Sequence, residues 1–334
     1  MIDSLMTALP QIDPESPLHF IINAGAGASD IATKREVIES TLRSGNRRGE
    51  LLFCTPADLA RVTREAAAMA RATRTAVVAV GGDGTINTVA QAAHREGCAL
   101  GVVPQGTFNY FARTHGLPAD PAEAIRLLLH AVPTPVQVAA VNDHLFLVNA
   151  SVGLYPDLLE DREAYKARFG RSRWVALWAA SATLLRAQRR LRLHIEQGIS
   201  VRDVQTLTLF VGNNRLQLEQ LGVEPLLLPD NSPKGAQITA VMLRPIGTLS
   251  MLRLMLHGAM GTLGEAHGVK RFDFNHMVVK PTLTPGRRGV KVAFDGEVTR
   301  LRTPLNFRVL TTPLYLMKPR TPETPCTYPD GKPG

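Results

Sequence analysis

Between residues 18 and 103, four short apolar runs alternate with three segments of helical period. The runs fall at 18–22, 51–54, 76–80 and 100–103, and the helical segments at 30–43, 56–72 and 85–95. Strands separated by helices pair in parallel through right-handed crossovers. This part of the chain is therefore expected to form a parallel sheet covered by helices on both faces. Such a sheet binds ligands at the carboxyl ends of its strands, where Asn23, Thr55, Gly81 and Pro104 all fall. The second helix carries its own start signal, with Thr55 as N-cap, Pro56 at the first position and Asp58 where a capping box places an acid.

The third run passes directly into two glycines, an aspartate, another glycine and a threonine, in TAVVAVGGDGTINTVAQAA at 75–93. Its small and β-branched residues read as a strand buried on both faces, and Ile86, Val89, Ala90 and Ala93 as one face of a helix. Gly81 to Gly84 is thus a strand-to-helix turn. Two readings stand. The free N–H groups of a helix start can hold an anion such as phosphate. Alternatively, the glycines supply only positive φ, with Asp83 as a helix cap.

Asn23-Ala24-Gly25-Ala26-Gly27 follows the first strand, and PQGTFNYFAR at 104–113 follows the fourth, placing Gly106, Thr107 and Asn109 on the same edge. A dinucleotide fold would want a third glycine after the first strand and an acid closing the second. That strand ends Phe53-Cys54-Thr55, which argues against a dehydrogenase. No GxxxxGK[ST] loop occurs. Phe294-Asp295-Gly296-Glu297 reads first as a hairpin turn, and second as a pair of carboxylates suited to phosphoryl transfer.

After Pro133 and Pro135 the pattern changes. VQVAAV-ND-HLFLVN is a hairpin signal turning at Asn142-Asp143, and further short strands are expected at 191–196, 206–211, 237–243, 269–274, 277–280 and 290–294. Helical patterns interrupt them near 174–190 and 249–263. The fold class read from the sequence is an α/β N-terminal domain with a parallel sheet, followed by a mainly antiparallel β-sandwich. The expected divisions are a flexible N-terminus at 1–17, a nucleotide-binding domain at 18–134, a substrate domain at 135–305 and a disordered tail at 318–334. The last strand patterns, 307–310 and 314–317, could pair with either domain, so 306–317 is a candidate to complete the first.

The formal charge of +9 over 334 residues points to an anionic partner, a nucleotide or a membrane surface. Sparse aromatic residues without basic interleaving argue against a nucleic-acid platform. Three scattered cysteines (Cys54, Cys98, Cys326) predict neither a disulfide framework nor a zinc site, and fit a reducing compartment. The N-terminus lacks a basic start before an apolar run, as a signal peptide would need, and the longest strongly apolar stretch, 174–185, is too short to span a bilayer. A cytoplasmic protein is expected. Trp174 and Trp178 precede Arg186, Arg189 and Arg190, in a segment that reads either as a core-packed helix with a basic face or as a membrane-surface helix.

In their order, NAGAG, Thr55, GGDGTIN, PQGTFNYFAR and FDGE resemble the diacylglycerol kinase catalytic-domain family, which includes sphingosine kinases and bacterial lipid kinases. The resemblance covers roughly residues 18–317. It implies ATP held between the two domains by glycine loops, with Mg²⁺ arriving on the nucleotide and a lipid hydroxyl as acceptor. Carried over residue by residue, Asn23, Gly25, Gly27, Thr55, Gly81, Gly82, Asp83, Gly84, Thr85, Asn87, Gly106, Thr107 and Asn109 would line the nucleotide site. Glu297 would be the base, Asp295 its neighbour, and Asp83 the organiser of metal or nucleotide. It also implies peripheral contact with the inner membrane face. The chain departs from the family at Tyr110, where an aspartate is usual, and at Lys234, in a loop where bacterial members hold Mg²⁺ with an Asp-Gly. Two other readings remain beside it: a different small-molecule kinase of the NAD kinase type, and a lipid- or nucleotide-binding protein without turnover.

Overall fold

In a computed structural model of the chain, the described residues are 9–24, 31–153, 156, 191–198, 200–213, 237–243, 269–282 and 289–320. The first four strands are β1 (Leu18–Asn23), β2 (Gly49–Cys54), β3 (Ala76–Gly81) and β4 (Ala99–Pro104). Between them lie α1 (Ile31–Ser44), α2 (Leu59–Ala72) and α3 (Asp83–Glu96). With β5 (Ala131–Val136) and β18 (Leu314–Pro319) they build one sheet in the order β2-β1-β3-β4-β18-β5, parallel except for the β18–β5 pair. Every residue of β3 and β4 is buried, as their unbroken apolar character requires. One sheet face packs Phe20, Ile22 and Val78 with Ile38 and Leu42 of α1. The other packs Ile21, Val77 and Leu100 with the Ala66, Ala67 and Ala70 stripe of α2 and with Ile86 and Val89 of α3.

Several boundaries differ from the sequence expectation. Residues 9–17 are not merely a flexible lead-in. Ile12 packs against the core, the Asp13 N–H donates to the Arg74 carbonyl at 2.7 Å, and Arg47 Nη2 donates to the Asp13 carbonyl at 3.0 Å. β5 runs across the expected division at 134/135 and belongs to the first sheet. Pro133 and Pro135 hid this strand, yet it lies at the sheet edge, where a missing N–H costs no ladder bond. β18 joins the first sheet and ends at Pro319, beyond the expected start of the tail at 318. Two helices had no expectation, α4 (Tyr110–Thr114) and α5 (Pro121–His130). The latter is capped by Asp120, which accepts the Glu123 N–H at 2.9 Å, with Pro121 in the first turn.

The remaining strands form two six-stranded antiparallel sheets. The first contains β6 (Ala139–Val141), β7 (His144–Phe146), β9 (Leu191–Gln197), β10 (Ser200–Thr206), β14 (His276–Pro281) and β17 (Leu305–Val309), in the order β10-β9-β14-β17-β6-β7. The second contains β8 (Asn149–Gly153), β11 (Thr208–Gly212), β12 (Ile238–Leu243), β13 (Val269–Phe274), β15 (Gly289–Phe294) and β16 (Glu297–Arg302), in the order β13-β12-β11-β8-β15-β16. Leu193, Met277 and Phe307 of one sheet meet Leu209, Ala240 and Val292 of the other in a shared core, which makes the pair a sandwich. The Asn142-Asp143 turn joins β6 to β7, with Asn142 at φ 53°. β10 was not anticipated, because Arg202 and Asp203 break its apolar alternation. The helical patterns at 174–190 and 249–263, the tail from 321 and the 229–235 loop with Lys234 lie outside the described residues.

Candidate active site

The strand order reverses between β1 and β3, so the crevice at their carboxyl ends is where this sheet offers a ligand site. Asn23 closes β1 there, and its Nδ2 donates to Thr85 Oγ1 at 3.1 Å. Gly81 closes β3, Gly82 is the N-cap of α3, and Asp83 is the first helical residue. The first intrahelical bond runs from the Ile86 N–H to the Gly82 carbonyl at 3.0 Å, which leaves the N–H groups of Asp83, Gly84 and Thr85 ahead of it. The helix start thus retains the donors and the dipole that favour an anion.

The glycines of this turn are not there for left-handed backbone, since none of Gly81, Gly82, Gly84 and Gly106 has positive φ. They permit close approach. A methyl group on Gly106 would stand 2.9 Å from the Gly82 Cα, so the GGDGT and PQGTFN loops touch main chain to main chain. The Gln105 N–H also donates to the Gly81 carbonyl at 2.8 Å. Asn109, at φ 49°, holds its loop by accepting the Gly106 N–H at 2.9 Å and donating to the Gly106 carbonyl at 2.8 Å. A methyl group on Gly84 would stand 2.9 Å from Glu297 Oε1. These contacts predict opposite effects for two alanine substitutions. Gly106→Ala sets backbone against backbone and should destabilise by about 1–3 kcal/mol in thermal unfolding. Gly84→Ala displaces only a side-chain end, so it should spare stability and disturb Glu297. A Gly106→Ala variant as stable as wild type would show that the two loops are not in contact.

Asp83 faces the start of α4, a different element from its own. Burial pushes its carboxyl up, opposed by the N–H groups of Asn109, Phe111 and Tyr110. Its Oδ1 is buried and, among the described residues, has no hydrogen-bond partner. It is therefore the first residue of α3 and not its cap. Tyr110, in the place of the family's usual aspartate, packs half-buried on the core and stacks on Phe108 with ring centroids 5.6 Å apart. A hollow of about 540 Å³ opens beside this loop, lined by Gln105 to Asn109 and by Arg113 and Leu117. That volume lies within the range of small-molecule sites.

Asp295 and Glu297 arrive from the sandwich on the β15–β16 hairpin. Asp295 at φ 47° and Gly296 at φ 90° form the two-residue turn that Asp-Gly favours. The hairpin reading is satisfied. Asp295 is buried. Its Oδ2 accepts the Leu147 N–H at 2.7 Å and Asn87 Nδ2 at 2.5 Å, and its Oδ1 accepts the Val148 and Asn149 N–H groups at 2.8 and 3.0 Å. Burial pushes its carboxyl up to about 6, against the pull of these four donors. Asn87 also donates to the Leu145 carbonyl at 3.1 Å and accepts Gln91 Nε2 at 2.8 Å, which fixes its amide orientation. Asp295 and Asn87 thus tie α3 to the sandwich instead of lining the crevice. No sequence signal marked Gln91 or the 147–149 backbone as their partners. Glu297 carries no such network. The residue is exposed, yet its Oε1 stands against Gly84, and partial burial there pushes its pKa up.

Thr55 stands at the end of β2, exposed, with Oγ1 donating to Asp58 Oδ2 at 2.9 Å and accepting the Asp58 N–H at 3.3 Å. The capping pair forms, but residues 56–58 are a turn and α2 starts one turn later than expected, at Leu59. Thr107 is exposed on its loop. Gly25 and Gly27 lie outside the described residues. Among the described residues, no group of three or more His, Cys, Asp or Glu side chains is placed to hold a metal ion.

Residues 17–141 match the model of the diacylglycerol kinase catalytic domain. A protein of Klebsiella pneumoniae named probable lipid kinase YegS-like is 41% identical over 98 residues, 28% of this chain and 33% of that protein. Across the first three such relatives the aligned stretch spans 33%, 52% and 39% of their length. A protein of the same name from Pseudomonas aeruginosa aligns over 298 residues at 29% identity, 86% of this chain and 89% of that one. The solved structure of a diacylglycerol kinase from Bacillus anthracis superimposes with a TM-score of 0.62 at 18% identity, covering 91% of this chain and 97% of that one. At that identity the likeness speaks for the fold. Both glycine loops of the crevice fall within residues 17–141, the stretch of this chain that is similar to the diacylglycerol kinase catalytic domain.

Proposed function

We propose that the protein is an ATP-dependent lipid kinase that transfers the γ-phosphoryl group to a hydroxyl of a diacylglycerol-like or sphingoid lipid. The observation that carries this reading is the placement of Glu297 Oε1 against Gly84, at the start of α3. A carboxylate with a raised pKa stands beside N–H groups suited to phosphate. In this reading the α3 N-terminus and the Gly106 loop orient the phosphates, and Glu297 accepts the proton as the acceptor oxygen attacks the γ-phosphorus. ADP leaves, and the proton stays on Glu297 until solvent takes it.

Phosphoryl transfer asks a protein mainly for positioning and charge neutralisation. Mg²⁺ brought by the nucleotide would supply part of the latter, with the buried, unpartnered Asp83 Oδ1 as the group suited to organise it. The names of the relatives and the net charge support a lipid acceptor at the inner membrane face. Among the described residues, no helix is long and apolar enough to cross a membrane.

The test is transfer from labelled ATP to micelles of diacylglycerol, monoacylglycerol, sphingoid base, ceramide or phosphatidylglycerol, with NAD beside them. Label should enter one of the lipids. Transfer to NAD alone, or to nothing, would overturn the reading. The pH profile adds a signed expectation. A base works deprotonated, so activity should be lost as pH falls through the Glu297 pKa. Burial has raised that pKa, so the acid limb should lie above the ordinary glutamate value of 4.5.

A further inference from the structure

We propose that the edge of the sandwich where β10 and β13 lie across from one another, the last strands of their sheets among the described residues, takes up an anionic membrane phospholipid. An acyl chain would enter between the sheets, with the headgroup on Arg202 and Lys270.

Strand register carries the argument. Arg202 is paired with Ile195, and Lys270 with Met242. Both partners belong to the sandwich core, and paired residues on neighbouring strands share a face. Two cations on edge strands therefore point toward the gap between the sheets. Neither makes an ion pair among the described residues; Arg202 Nε donates only to Ser200 Oγ, at 3.2 Å. Between them opens a hollow of about 170 Å³ with Ile195, Val204, Met242 and Phe272 among its walls.

Inward charges on edge strands also discourage strand pairing between molecules, and either sign would serve that purpose. Two like charges above an apolar slot are complementary to an anionic amphiphile. A bilayer in which phosphatidylglycerol is exposed offers that chemistry at high local density. The place is separate from the crevice. β13 and Glu297 of β16 lie at opposite edges of one sheet, five strand spacings or roughly 24 Å apart. The slot would hold the enzyme to its surface without being the acceptor site. The inference extends the membrane contact of the proposed function, but binding is read without ATP, so it can fail while the kinase reading stands, and the reverse.

Sedimentation with phosphatidylcholine vesicles, with and without phosphatidylglycerol, tests it on the full chain. Wild type should bind only the anionic vesicles. Removing two cations from an anionic surface costs a factor of about five each, so the R202E/K270E variant, which also adds two anions, should bind at least about 30-fold more weakly. R192E/R308E makes the same change of charge on the outward face of the sheet that carries Arg202, and should lose less. Should the reversals impair folding, Arg202→Gln with Lys270→Gln makes the same comparison. Phe272→Trp reads chain entry, since bromine on the acyl chains should quench its fluorescence beyond that of the parent protein. Absence of wild-type binding, equal loss in both paired variants, or binding without quenching would each overturn the proposal.

Discussion

Glu297→Gln is expected to lower phosphoryl transfer by about 10²–10⁴-fold while nucleotide affinity stays near wild type, because the change removes a base and keeps its shape. The structure makes this a clean substitution. Among the described residues Glu297 has no buried hydrogen-bond network of its own, and its carboxyl end lies against Gly84. Glutamine therefore leaves no donor stranded. The acid limb of the pH profile should vanish in the residual activity. Calorimetry with Mg-ATP and single-turnover transfer to the true acceptor separate the two effects. Turnover near wild type would remove Glu297 from the chemistry, and lost nucleotide affinity would make it a binding group instead.

Asp295→Ala should cost about 4 kcal/mol or more in stability, the larger structural effect of the two DGE acids. It strips the acceptor from three buried backbone N–H groups and from Asn87 Nδ2, and each buried donor left alone costs on the order of 1–3 kcal/mol. Asp295→Asn should be nearly as harmful, because one amide end would face donors with donors. Asn87→Ala should cost less, about 1–2 kcal/mol, since three of the four donors remain paired. Urea unfolding measures all three. A loss below about 1 kcal/mol in Asp295→Ala would mean that these bonds do not hold the sandwich to α3.

The pH dependence of stability has a definite sign here. Burial holds the Asp295 carboxyl at about 6 in the fold, above an ordinary value of 3.8. Between those values the folded state binds more protons than the unfolded one. This group's contribution to stability therefore falls as pH rises through that window, and the slope should disappear in Asp295→Asn.

Much of the fold was legible because it rests on local pattern. β3 and β4 were readable from unbroken small and β-branched runs, α3 from its helical period, and the Asn142-Asp143 and Asp295-Gly296 turns from residues that tolerate positive φ. β5 and β10 were not, because Pro133, Pro135, Arg202 and Asp203 suit edge strands, and being at an edge is a property of the assembled sheet. The candidate site divides along the same line. Through the family resemblance, the sequence grouped the glycine loops, Asp83 and the DGE acids as a set, since residue types and order carry that information. It could not say what each one does. Only the tertiary structure set Gly84 under Glu297, Gly106 against Gly82, and Asp83 at the start of α4. It alone turned Asp295 and Asn87, 208 positions apart, into a tie between domains. Roles of this kind depend on which lone pair meets which donor, and chain folding decides that at distances no local pattern records.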